Sequence, residues 1–306
     1  MVKIFKKLFT NRTWAIAIKS RHSFVEQSLI DYNFAFAPIK NTKKFWFADP
    51  LLFEYEDRNY LFVEAFNKKE QKGEIGVFSI ENGLPHNFKI IISEKYHLSY
   101  PCVFFCDGSF YMIPESAENN SVDLYVSRFF PYKWEKVGSL IVGVKYADPT
   151  VFVKNGCLKM MAYLEENGHY ELVFYSININ KCSAVEETRI QYDKNQGRPA
   201  GHVFLTGSSL LRPVQDSVEM YGKSIIFKAI DIVNNYRESN VCNVENKRIK
   251  IGHHQGVDRI HTFSCTSILE AIDYCYAKFD LFWAFKKMRR KKSVEKRKRE
   301  REKGFN

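Results

Sequence analysis

The sequence predicts an all-β fold, a five-bladed β-propeller, followed by a helical C-terminal extension that is first aromatic and then polybasic. Three observations lead there: a motif recurring about every fifty residues, a hairpin turn inside each repeat, and an abrupt change of character near the C-terminus.

The repeat comes first because a fixed period constrains the architecture most. Ala48-Asp49-Pro50-Leu51-Leu52-Phe53 returns as Ala147-Asp148-Pro149-Thr150-Val151-Phe152, 99 residues later. Between them lies Ser99-Tyr100-Pro101-Cys102-Val103-Phe104, and after them Arg198-Pro199-Ala200-Gly201-His202-Val203-Phe204. The prolines at 50, 101, 149 and 199 are separated by 51, 48 and 50 residues. Ile260-His261-Thr262-Phe263 supplies a fifth phase without the proline, with His261 62 residues after Pro199.

Each proline is followed by an apolar run, a turn (Asp57-Arg58-Asn59, Asp107-Gly108, Asn155-Gly156 or Thr206-Gly207) and a second apolar run. Asp-Gly and Asn-Gly between β-rich runs are strong hairpin signals. Further strand-like runs, such as Glu74-Ile75-Gly76-Val77-Phe78 and Leu172-Val173-Phe174-Tyr175, complete units of several antiparallel strands. Such units in radial repetition hide their sheet edges, which is the propeller solution. A β-sandwich would not impose a fixed period. Trp14-Ala15-Ile16-Ala17-Ile18 is expected to close the ring against the last blade. From about Thr266, Ile268, Leu269, Ile272, Tyr276, Phe279 and Phe282-Trp283 recur at helical spacing and predict a helix. The expected division is therefore a propeller over 1–265 and an extension over 266–306.

Charge sharpens this division. The chain carries 46 Lys+Arg and 35 Asp+Glu, a net of +11, but residues 286–306 alone hold twelve basic and three acidic groups. The other 285 residues are near neutral at +2. A basic groove for nucleic acid is thereby excluded as an expectation. The tail predicts attachment to an anionic membrane surface, against the alternative of a solvated charged helix. Seven scattered cysteines without a CxxC pair read as reduced thiols, and Met1 to Phe9 lack the apolar stretch of a signal peptide. No run of 18 uncharged apolar residues occurs. The expected location is cytoplasmic and peripheral, at the inner face of the membrane.

In a propeller the innermost strands converge, so residues remote in sequence meet. Asp49 and Asp148 should open two such strands, with Glu64, Glu115 and Asp216 ending neighbouring ones. Converging carboxylates suit acid/base chemistry on a glycosidic bond, where one must keep a proton while another stays ionised. Asp49, Asp148, Glu115 and Asp216 are the candidate catalytic residues. Glu64, Tyr100, Arg198, His202, Arg212, Gln215 and His261 are the candidate substrate-binding ones, with Arg198 and Arg212 offering bidentate forks to an anion. The competing reading of each Asp-Pro is a local cap on a tight turn, repeated for structural reasons. No metal-ligand spacing, phosphate loop or nucleophile elbow is present, so neither metal nor cofactor is expected.

Phe47-Ala48-Asp49-Pro50, Tyr60-Leu61-Phe62-Val63-Glu64, Lys72-Gly73-Glu74-Ile75-Gly76-Val77, His97-Leu98-Ser99-Tyr100-Pro101, Tyr111-Met112-Ile113-Pro114-Glu115-Ser116, Arg198-Pro199-Ala200-Gly201, Arg212-Pro213-Val214-Gln215-Asp216 and Tyr221-Gly222 resemble one domain family. It is the N-terminal domain of plant glucosamine inositolphosphorylceramide transferases, which also occurs in bacterial proteins. The resemblance implies a five-bladed propeller and a role in building cell-surface glycans or glycolipids. In the plant proteins glycosyl transfer is attributed to a separate C-terminal domain. The architecture is also similar to the arabinanase, xylosidase and invertase group of glycosidases. That similarity implies Asp49 as base or nucleophile and Asp148 as pKa modulator, whereas the position of the general-acid Glu is taken by Arg198-Pro199-Ala200-Gly201-His202. Glu115 or Asp216 is left to replace it. The expected function is glycosyl or substituent transfer onto a sugar or glycolipid from an activated sugar donor, at a carboxylate-lined central channel. The alternatives are a glycoside hydrolase and a non-catalytic glycan-binding or scaffold propeller.

Overall fold

The computed structural model describes residues 10–22, 30–207, 209–232 and 234–279, together with Lys292 and Glu295. Five four-stranded antiparallel sheets form the five blades of the propeller. Blade 1 holds Phe45–Tyr55, Arg58–Asn67, Lys72–Glu81 and Leu84–Ile92. Blade 2 holds Ser99–Cys106, Ser109–Ser116, Ser121–Phe129 and Lys133–Val142. Blade 3 holds Ala147–Lys154, Cys157–Glu166, His169–Asn178 and Ser183–Tyr192, and blade 4 holds Phe204–Thr206, Ser209–Asp216, Ser224–Asp231 and Arg237–Asn243. Blade 5 joins Phe263–Cys265 and Leu269–Phe279 to Thr10–Ser20 and Ala37–Ile39 from the start of the chain.

Burial follows radius. The first strand of blade 1 is almost wholly buried, whereas the last strand of blade 3, Ser183–Tyr192, is polar and largely exposed. Between successive blades lie separate apolar clusters, such as Phe62, Ile75, Val77, Leu98, Met112 and Tyr125 between blades 1 and 2. Another packs Leu211, Ile225 and Phe227 of blade 4 on Ala17, Phe263 and Ile272 of blade 5. A sheet with two apolar faces needs such a partner on each side, and radial repetition supplies both.

The expected ring closure is present: Thr10–Ser20 pairs with Leu269–Phe279 in an unbroken register from Thr10↔Phe279 to Ser20↔Leu269. The same pairing corrects the expected helix. Residues 269–279 are a strand, because Ile268, Ile272 and Tyr276 lie four apart, a spacing that fits one face of a strand as well as one face of a helix. The chance to complete a blade decides between them. The propeller therefore continues past residue 265 to Phe279. The aromatic and polybasic segment from residue 280 on lies outside the described residues, apart from Lys292 and Glu295, whose backbone is helical.

Candidate active site

The repeated X-Pro pairs are β-bulges. Pairing of the first strand with the second skips two residues in blade 1 (between Ala48 and Leu51), in blade 2 (between Ser99 and Cys102) and in blade 3 (between Ala147 and Thr150). The residue before each proline is driven to positive φ: 46° at Asp49, 45° at Tyr100 and 49° at Asp148. A pre-proline residue ordinarily prefers extended backbone, and left-handed backbone costs a non-glycine residue about 1–2 kcal/mol. Bulges are where sheets re-aim side chains, and such strain concentrates at functional sites.

Each bulge releases a backbone N–H, and in each case a carboxylate of the preceding blade receives it. Asp49 N donates to Asp273 of blade 5 at 3.3 Å, and Tyr100 N to Asp49 of blade 1 at 3.2 Å. Asp148 N donates to Glu115 of blade 2 at 3.1 Å. The repeat thus links its own phases through buried carboxylates. The cap anticipated from sequence exists, but it runs between blades rather than within one turn.

Two polar centres result. In the first, Asp49 also accepts from Thr262 Oγ1 at 2.8 Å and lies 3.4 Å from His261 Nε2. His261 Nδ1 is 2.5 Å from Asp273, whose Oδ1 accepts the backbone N–H groups of His261 and Thr262. The Trp14 ring packs on the imidazole at 4.2 Å. Gly222, at φ +66°, makes room for that stack: a Cβ there would sit 3.0 Å from the indole and 3.3 Å from His261 Cβ. In the second centre, Arg198 grips Asp148 bidentately at 2.6 and 3.0 Å and reaches Glu115 at 3.1 Å. Gln215 donates to Asp148 at 2.7 Å, and its buried Oε1 has no hydrogen-bond partner within the described protein. Tyr221 spans both centres, its half-exposed ring 5.7 Å from the Arg198 guanidinium and 5.2 Å from His261.

Burial sets the protonation. It pushes Asp49 up to about 7; His261 opposes this, while Glu64, Asp148 and Asp273 add to it. Glu115 is pushed up to about 8, again by burial first, with Arg198 opposing and Asp148 adding. Burial favours a neutral ring at His261, but Asp273 and Asp49 outweigh it and lift the imidazole to about 9. Burial thus favours a retained proton on Asp49 and Glu115, while the neighbouring carboxylates favour the charged form of His261. Glu64 lies 3.3 Å from His97 Nε2, and Gly73 N donates to the other ring nitrogen. Burial works against charge on His97, yet Glu64, Glu115 and Glu118 raise its pKa.

The structure thus gathers Asp49, Asp148, Glu115, Arg198, Gln215 and His261, with Glu64 beside them. Four other sequence candidates lie elsewhere. Tyr100 is fully buried, its hydroxyl joined to Thr150 at 2.9 Å and to Gly201 N at 2.8 Å, so it ties blades 2, 3 and 4 together. His202 stands against Cys102 Sγ at 3.8 Å, and burial lowers its pKa to about 4. Arg212 is enclosed by Glu238, Tyr192 and the Gly197 carbonyl, where it braces the segment that carries Arg198. Asp216 caps its own turn through Val218 N, Ser224 and Gln196.

Sequence reasoning missed Asp273, Trp14 and the contact role of Tyr221. Asp273 was hidden by the helical reading, although period-two alternation through Ala271, Asp273 and Cys275 was there to find. Asp49, His261 and Asp273 offer one ligand atom each within 4.8 Å, a geometry that could hold a cation. Every oxygen of both carboxylates already faces an N–H or O–H donor within the protein.

Comparison with known proteins places this site in context. The chain is 32% identical over 206 residues to glucosamine inositolphosphorylceramide transferase 1 of Arabidopsis thaliana, covering 63% of this chain and 27% of that protein. It is 30% identical over 190 residues to the enzyme of the same name from Oryza sativa subsp. indica, covering 58% and 25%. The chain thus spans about a quarter of the length of these curated relatives. Among solved structures, a β-xylosidase, RS223, aligns with TM-score 0.56 at 12% identity over 77% of this chain and 93% of its own. A family 117 glycoside hydrolase of Zobellia galactanivorans aligns with TM-score 0.55 at 9% identity over 88% and 91%. These likenesses establish the fold. With residues 35–273 matched, the chain belongs to the family described as glucosamine inositolphosphorylceramide transferase 1, N-terminal.

Proposed function

We propose that this propeller is a carbohydrate-active domain of cell-surface glycan or glycolipid assembly that catalyses glycosyl or substituent transfer. The observation that carries the reading is that two buried carboxylates, Asp49 and Glu115, are both lifted toward neutrality with Asp148 as a common charged neighbour, Glu115 being held by Arg198. Asp49 takes the proton of an acceptor hydroxyl as the new C–O bond forms. Glu115 gives its proton to the oxygen that leaves the activated donor as the old bond breaks. Asp148 and Arg198 fix Glu115, and Gln215 Oε1 offers an acceptor to a sugar hydroxyl. The Trp14 and Tyr221 rings suit the apolar face of a pyranose. The relatives' name points to a hexosamine and a phosphoinositol sphingolipid as the substrate class.

Purified chain incubated with labelled nucleotide sugars and glycolipid acceptors tests this. Asp49→Asn and Glu115→Gln should each lower turnover about 10²–10⁴-fold, with circular dichroism unchanged. One observation favours a second reading, glycan binding without turnover: both oxygens of Asp49 and of Asp148 already accept donors. Titration of a glycolipid headgroup with undiminished affinity in both variants, and no transfer by the parent chain, would establish that reading instead. Turnover of chromogenic pentosides or fructosides would point to hydrolysis.

The basic run 286–306 holds the domain at an anionic membrane surface on the cytoplasmic side, where a glycolipid substrate is available. Its net charge of +9 supports this, each near-surface cation adding on the order of 1 kcal/mol.

A further inference from the structure

We infer that the face carrying the carboxylate site is the one that lies against the membrane, with the loop 217–222 seated among the headgroups of an anionic bilayer. The inference rests on the attachment proposed above and adds an orientation to it.

Both ends of the described propeller leave from one place, since Thr10 pairs with Phe279. Asp273 lies six residues before Phe279 on the same strand, so the exit is roughly 20 Å along the strand from the site. The aromatic rings that cover His261 lie on the side of that exit. Trp14, packed on His261, pairs with Cys275, which lies on the Phe279 side of Asp273. Tyr221 packs on both rings and is 43% exposed. In the other direction along the strand, Ala271 pairs with Ser264, which is buried and accepts a hydrogen bond from Leu52 N.

The composition of the departing segments matches a lipid surface. The residues before Thr10 include Lys3, Lys6 and Lys7 among Val2, Ile4, Phe5, Leu8 and Phe9. The 27 residues after Phe279 hold twelve Lys/Arg against four Asp/Glu. The same face carries exposed lysines where the chain enters successive blades: Lys40, Lys43 and Lys44, then Lys95, Lys145 and Lys194. Beside the site, the loop 217–222 exposes Val218, Met220 and Tyr221, while its Glu219 is paired with Lys223. Apolar side chains flanked by cations are what an interfacial surface requires. The opposite face also exposes Phe105, Val153 and Leu205 on its hairpins, but neither end of the chain departs there.

The test uses the full chain and vesicles of phosphatidylcholine with phosphatidylglycerol whose acyl chains are brominated. One fluorophore is placed at Val218→Cys with Cys157 and Cys242 replaced by serine; another is placed on native Cys157, in an opposite-face hairpin, with Cys242 replaced. The Val218 probe should be quenched several-fold more than the Cys157 probe. Equal quenching, or stronger quenching at Cys157, overturns the orientation and leaves the attachment standing. Absence of binding by the full chain overturns both. As an independent measure, Lys40→Gln, Lys43→Gln and Lys44→Gln should each weaken vesicle binding about fivefold, whereas Lys133→Gln and Lys181→Gln on the opposite face should not. Equal effects from the two faces overturn the orientation as well.

Discussion

Asp49, Tyr100 and Asp148 show how one local event serves two ends. A bulge before a proline frees a backbone N–H and a carboxylate of the preceding blade answers it; for Asp49 and Glu115, burial also raises the affinity for a proton. Glu115 makes the coupling measurable. Its ordinary pKa is 4.5 and in the fold it rises to about 8. Below 4.5 the folded and unfolded chains both carry the proton; between 4.5 and 8 only the folded chain keeps it, so stability falls as pH rises through that window. The slope approaches one proton, about 1.4 kcal/mol per pH unit. Chemical denaturation across pH should therefore give a flatter profile for Glu115→Gln than for the parent; identical profiles would mean that Glu115 is ionised in the fold and is no acid. Tyr100→Phe should cost about 1–3 kcal/mol in the same assay, because Gly201 N and Thr150 lose a buried partner. At this scale the sequence displayed Asp49, Asp148, Glu115, Arg198 and His261 through the repeat itself. It could not display that Arg212 and Tyr100, equally regular in position, are satisfied inside the scaffold. Side-chain direction and hydrogen-bond saturation depend on neighbours that periodicity does not name.

The strand from Leu269 to Phe279 contributes both Asp273 and the closure of the ring, so its misreading as a helix concealed a site residue and a boundary together. Hairpin turns gave blades 2 and 3 away because Asp107-Gly108 and Asn155-Gly156 have few alternatives. Here the turn is Thr266-Ser267-Ile268, which has no such signature, and apolar residues four apart serve either period. Part of the strand's partner was recognisable as the apolar run Trp14-Ala15-Ile16-Ala17-Ile18. Removal of residues 1–20 should strip Leu269–Phe279 of its partner along its full length, leaving only the short pairing with Phe263–Cys265, and abolish a cooperative thermal transition; a chain that still melts sharply would show that four blades suffice.

The whole chain divides by charge into a near-neutral body and a +9 segment over 286–306. Flotation with and without that segment tests the proposed attachment: its loss should weaken binding to anionic vesicles at least tenfold and leave neutral vesicles unaffected. Equal flotation would assign the segment to solvent. Among the described residues no helix is long and apolar enough to cross a membrane. The joining of the first strand to the last also bears on how the protein is made. Four blades can bury their faces in the order in which they leave the ribosome, but blade 5 waits with Thr10–Ser20 until residue 279 has been synthesised. The entropy of so long a closure grows only logarithmically, about 0.6 kcal/mol per doubling of loop length, so delay rather than stability is the cost. Until then the nascent chain is an open arc with a free sheet edge at its waiting strand, the surface most prone to pairing with the wrong neighbour. Synthesis of residue 279 is what permits concealment of that edge, and a chain released before it leaves the edge open to whatever binds exposed strands.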